Sequence, residues 1–234
     1  MVQQIDPEKQ EKIVRMARVT VDRWAFLTTC CYTYDETKLD APVALIPEKD
    51  YLRELVILWE TKRLLCLPKS RRMIMSWSLR ALELHLAMFE PFSAIYLASN
   101  KQDKSDAMLG RHKFLYDNLP GDLIFRKPEM VIHRGRTGLP TRIDFPEMDS
   151  KIVAVSSDPD ELRQEGATLV VLEELATWDH PREAWPAILP VIQGGGRIVI
   201  VSSAIPNSFF QDITYDNLGQ TVVRAEQKSM MRGA

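Results

Sequence analysis

Apolar and polar positions divide the chain into two unlike parts. Ile13, Val14, Ala17, Val21 and Trp24 recur at helical spacing and predict one amphipathic helix over 7–28, with Asp6 placed to cap it and Pro7 in its first turn. Residues 29–42 are polar and turn-like, and 48–59 predict a second helix. From residue 64 onward, short apolar runs alternate with longer amphipathic segments. Residues 64–67, 94–98, 169–172 and 198–201 are the runs that suit central strands of a parallel sheet. Helices are predicted over 75–89 and roughly 101–118, and shorter strands at 129–133, 141–145 and 151–155 suggest some antiparallel pairing. Strands alternating with helices imply an α/β fold, a mainly parallel sheet covered on both faces.

Composition adds exclusions. An apolar fraction of 45% and a charged fraction of 26% are those of a folded globular chain. The net charge of −2 lacks the basic excess of a protein that coats nucleic acid unaided, so any DNA contact is local, weak or shared among copies. Cys30, Cys31 and Cys66 have no metal-binding spacing and are expected as reduced thiols. The amino terminus lacks the apolar core of a signal peptide, and no run reaches the length of a membrane span; a soluble intracellular protein is expected. His85, His112, His133 and His180 show no ligand spacing, and Arg134, Arg136 and Arg142 are expected on a solvated hairpin.

Candidate chemistry lies at three strand ends. The first is Pro68-Lys69-Ser70-Arg71-Arg72-Met73-Ile74-Met75-Ser76, between a predicted strand and a predicted helix. A phosphate loop needs this placement: backbone N–H groups and a helix amino end face the phosphates, a Lys neutralises them, and a Ser or Thr holds Mg²⁺. The usual pattern GxxxxGK[ST] is not met, because Pro68, Ile74 and Met75 stand at the two Gly and the Lys positions. Positive charge has moved forward to Lys69, Arg71 and Arg72, and Ile74 is expected to resist the positive φ that Gly reaches there. A basic turn between strand and helix fits this segment equally well. The second segment, Thr168 to Glu174, is an apolar strand ending in two carboxylates, one suited to Mg²⁺ and one to polarising water. It lies about 100 residues after the first, in the order the chemistry requires. The third is the run 198–201, ending in Ser202-Ser203, with hydroxyls at the sheet edge where ligands of open α/β folds bind.

Together these segments resemble the ATPase domain of phage terminase large subunits over roughly residues 43–212. PKSRRMIMSW is similar to that family's deviant Walker A loops, the stretch into LVVLEELATW to its Walker B region, and VSSAIPNSFF to its coupling motif. The resemblance implies a three-layer P-loop NTPase fold of the ASCE type at 43–218, a helical extension at 1–42, and a tail or linker at 219–234. It implies ATP and Mg²⁺ as ligands, with Ile46, Pro47 and Tyr51 at the adenine and residues 68–76 around the phosphates. Lys69 and Arg72 would act on phosphate, Ser76 and Glu173 on the metal, Glu174 on water, and Ser202 and Ser203 in coupling. Arg163 resembles a finger that reaches a neighbour's ATP. Glu173 stands where Asp is usual and Gln164 where Gly is common. The implied partners are double-stranded DNA, a homo-oligomeric ring (a pentamer), the portal and the small terminase subunit, in the host cytoplasm at the procapsid portal. No nuclease domain is expected in this chain. Two further readings stay open: another P-loop DNA translocase of helicase type, and an assembly module that does not hydrolyse ATP.

Overall fold

The computed structural model describes residues 6–34, 40–70, 73–121, 127–163, 166–215 and 223–224. The chain opens with helices α1 (Pro7–Val21) and α2 (Arg23–Cys30), strands β1 (Tyr32–Tyr34) and β2 (Val43–Leu45), and helix α3 (Asp50–Thr61). The alternating part follows: β3 (Leu64–Lys69), α4 (Met75–Phe89), β4 (Ala94–Ala98), α5 (Gln102–Asp117), β5 (Val131–Arg134), β6 (Pro140–Phe145) and β7 (Ser150–Val155). It ends with α6 (Pro159–Leu162), β8 (Leu169–Glu173), α7 (Pro181–Ile188), α8 (Pro190–Gln193), β9 (Arg197–Ser203), α9 (Phe209–Tyr215) and β10 (Val223–Arg224).

The main sheet has the order β10-β3-β9-β8-β4-β7-β6-β5. Strands from β10 to β7 run parallel, and β6 and β5 add antiparallel pairs at one edge. The fully apolar runs are the central strands because both faces are covered, and their side chains alternate between two cores. Leu65, Leu67, Leu169, Val171, Val199 and Val201 join α2–α5 on one face. Leu64, Cys66, Val170, Leu172, Ile198 and Ile200 join α7 and α9 on the other. This is the expected three-layer arrangement.

One helix prediction is corrected. The periodicity over 7–28 suggests a single helix, but the chain breaks at Asp22, whose backbone is extended (φ −102°, ψ 101°) and whose carboxylate accepts from the Ala25 N–H at 2.9 Å. Asp favours such a cap, and the β-branched Thr20 and Val21 weaken the helix just before it. The break turns α2 into the core. Phe26 packs edge-on to His85 and Phe89 of α4 at 5.0 and 5.9 Å, and His85 Nε2 donates to the Val19 carbonyl at 3.2 Å.

Candidate functional site

The parallel register brings three strand ends to one edge. Pro68 pairs with Ser202 and Lys69 with Ser203, while Glu173 pairs with Val201. After β3 the chain turns into α4, which begins at Met75. Ile74 caps it in the left-handed region (φ 56°, ψ 4°), with no side chain on the first-turn N–H groups. This corrects the expectation that Ile74 resists positive φ. Such a conformation costs about 1–2 kcal/mol for a non-Gly residue. Part of that cost is offset by packing of the Ile74 side chain against the core. The uncapped amino end of a 15-residue helix is a favourable seat for anionic oxygen.

Four side chains meet there. Lys69 Nζ lies 2.9 Å from Glu174 Oε1 and 3.4 Å from Ser76 Oγ. Ser76 Oγ donates to Glu173 Oε1 at 2.8 Å. The Ser203 backbone N–H donates to Glu174 Oε2 at 3.0 Å. Glu174 sits in the left-handed region (φ 56°), held by its own N–H on the Val201 carbonyl at 2.8 Å. Burial pushes both carboxyls up, but their partners outweigh it. Arg80, Ser76 and Lys69 pull Glu173 below its ordinary range, and Lys69 and Ser203 do the same for Glu174. Both are carboxylates at neutral pH.

Other expected site residues are placed as follows. Tyr51 donates its hydroxyl to the Met73 carbonyl at 3.2 Å, and this ties α3 to the loop. Ile46 is buried, Pro47 half-buried and Ser70 exposed, and Met75 packs in the core. Ser202 is fully buried, and its Oγ accepts the Ala176 N–H at 3.0 Å, so its hydroxyl serves the turn after β8. Arg163 does not join the cluster. It pairs with Asp160 at 3.0 Å and lines a cavity of about 630 Å³ with Gly166, Thr168 and Gly195, which precede β8 and β9 at the opposite sheet edge. Arg71, Arg72 and Gln164 lie outside the described residues.

Sequence reasoning missed Arg80. It is fully buried and donates to Glu173 Oε2 at 2.8 Å and to Glu83 Oε1 at 2.7 Å. Glu83 Oε2 in turn meets His112 Nε2 at 2.9 Å. The signal was present: α4 is apolar nearly all round, so its Arg and Glu had to be buried and therefore paired.

The donor set suits a hard divalent cation. Ser76 Oγ and the Glu173 carboxylate are oxygen donors that converge, and Mg²⁺ is commonly held by one or two such groups together with phosphate oxygens. Among the described residues no group of three or more His, Cys, Asp or Glu forms a protein-only cage.

The sheet order, the strand-loop-helix turn and the paired carboxylates define a P-loop NTPase fold. More particularly, it is the fold of phage large terminase ATPase domains. No protein-family model matches the chain. Among solved structures, the Thermus phage P74-26 large terminase ATPase domain aligns with TM-score 0.54 at 19% identity, covering 73% of this chain and 70% of that one. The bacteriophage HK97 large terminase aligns with TM-score 0.62 at 11% identity over 86% of this chain and 41% of that one. The large terminase of thermophilic bacteriophage D6E, in complex with ATP-gamma-S, aligns with TM-score 0.55 at 10% identity over 80% and 47%. The chain thus spans less than half the length of the HK97 and D6E proteins it matches.

Proposed function

We propose that residues 43–218 form an ATP-hydrolysing motor domain that drives double-stranded DNA into a procapsid, with residues 1–42 as a helical extension. The convergence of Lys69, Ser76, Glu173 and Glu174 at one sheet edge carries this reading. Lys69 and the amino end of α4 receive the phosphates, and the phosphate oxygens compete with Glu174 for the Lys69 ammonium. Ser76 and Glu173 would hold Mg²⁺, which would supply positive charge against the phosphates. Glu174, released from Lys69 but still fixed by Ser203, orients water in line with the γ-phosphate. The Ser203 N–H goes on favouring its ionised form once Lys69 has left. Arg72 adds positive charge to the loop.

Arg163, lying away from the cluster in its own chain and two-thirds exposed, suits a role on a neighbour's nucleotide in a homo-oligomeric ring. The assembly would work on the portal with a small terminase subunit, in the host cytoplasm. Among the described residues no helix is long and apolar enough to cross a membrane. The decisive experiment measures ATP turnover and nucleotide binding in Glu174→Gln. Turnover is expected to fall by about 100-fold or more, with binding retained or tightened because Lys69 loses its anionic partner. Unchanged turnover would sink the assignment.

A further inference from the structure

Glu173 is held from two sides. Ser76, at the start of α4, takes Oε1, and Arg80, one turn further along the same helix face, takes Oε2, each at 2.8 Å. The backbone behind the carboxylate is pinned as well, because Trp178 Nε1 donates to the Glu173 carbonyl at 3.1 Å. Arg80 is itself held: its second arm is on Glu83, and Glu83 is on His112, whose Nδ1 faces the Met108 carbonyl at 3.1 Å. The resulting chain joins β8, α4 and α5, and Arg80, Glu83 and His112 in it are sealed from solvent.

We propose that Arg80 is a positioning residue for the phosphate-and-metal site, gripping Glu173 from behind so that the Ser76-facing oxygen is presented at a fixed angle. This rests on the reading of Ser76 and Glu173 as the metal-holding pair. Two observations favour positioning over simple stabilisation. Buried ion chains return little net stability, and apolar residues of similar size often replace them without loss. Arg80 and Glu83 also satisfy one another three residues apart on α4, so stability alone does not require the contact to a strand residue 93 positions away. What that contact adds is a fixed geometry for one carboxylate.

The test compares wild type, Arg80→Lys, Arg80→Gln and the double variant Arg80→Gln/Glu83→Gln in the full chain. The double variant keeps the net charge and removes both charges of the Arg80–Glu83 pair, while Glu173 keeps Ser76 and Lys69 beside it. Urea unfolding reports the fold, and ATP turnover titrated with Mg²⁺ reports the site. The double variant is expected to unfold near the wild-type midpoint yet to show kcat reduced about tenfold or more and a half-saturating Mg²⁺ concentration raised about tenfold. Its KM for ATP should move by no more than about threefold, since the contact acts through Glu173 rather than on nucleotide. Arg80→Lys should recover part of kcat relative to Arg80→Gln. A double variant with wild-type turnover and Mg²⁺ dependence overturns the proposal, as does an Arg80→Lys no better than Arg80→Gln. If wild type hydrolyses no ATP, the ATPase reading fails separately, and electron paramagnetic resonance with Mn²⁺ alone decides for Arg80. Binding weakened about tenfold in the double variant supports the proposal. Equal binding, or none by wild type, overturns it.

Discussion

Helix α4 buries polar groups in opposite ways at its two ends. Toward its amino end, Arg80 and Glu83 enter the core as ions, each matched by an opposite charge, and the chain they form ends on a carboxylate of the candidate site. Toward its carboxyl end, His85 enters the core between Phe26 and Phe89, with the Val19 carbonyl as its hydrogen-bond partner. Burial, and then the charge of Arg23, lowers its pKa to about 4, so it is neutral at pH 7. The first end is built from charge and leads to the candidate site. The second is built from shape and fastens α1 and α2 to α4.

The contrast can be broken at either end. Glu83→Leu should be the most damaging change, costing about 3–5 kcal/mol in urea unfolding, because it strips one arm of a fully buried guanidinium. A cost under about 1 kcal/mol would mean that the ionic end is no more demanding than ordinary packing. His85 should instead reveal itself through pH. Above its ordinary 6.5 the histidine is neutral folded and unfolded; below it the unfolded chain takes up a proton that the folded chain refuses until about 4. Stability is therefore full above 6.5 and lost as pH falls, by about 2–3 kcal/mol at the bottom of that window. His85→Gln, which still donates to the Val19 carbonyl but does not titrate, should flatten unfolding curves between pH 6.5 and 4.5. Glu173 and Glu174 act lower. Their depressed values add stability that is lost only as pH drops below the ordinary 4.5, so their share should survive in that variant. The smallest effect should come from Ile74→Gly. Losing a half-buried Ile side chain is balanced by relief at φ 56°, and the net change should stay within about 1 kcal/mol by thermal unfolding.

These two ends also mark what a sequence discloses. The central strands are legible in residues 64–67, 94–98, 169–172 and 198–201 because both faces are covered and no polar position interrupts them. The extent of α4 is legible because good helix formers run from Met75 to Phe89 with no Gly or Pro between them. The break at Asp22 is not, since helical periodicity runs through it and only a local cap decides. Lys69, Ser76, Glu173 and Glu174 can be picked out because strand ends in a parallel sheet share an edge. Arg80 escapes notice because its meaning depends on a carboxylate far along the chain, and charge on a helix is ordinarily solvated. Ile74 misleads for a related reason: intrinsic backbone preference is a weak prior, and Ile74 takes the left-handed cap position with its side chain packed on the core.

The turn after β8 carries a mechanical consequence. Three bonds join it to the end of β9: Glu174 N–H to the Val201 carbonyl, Ser203 N–H to the Glu174 carboxylate, and Ala176 N–H to Ser202 Oγ. Such a corner moves as one block. A tug on the Glu174 side chain is passed to the tip of β9 and on to α9, with little slack to absorb it. A displacement of that carboxylate would be felt at the end of β9 as well as in β8, which Glu174 directly follows.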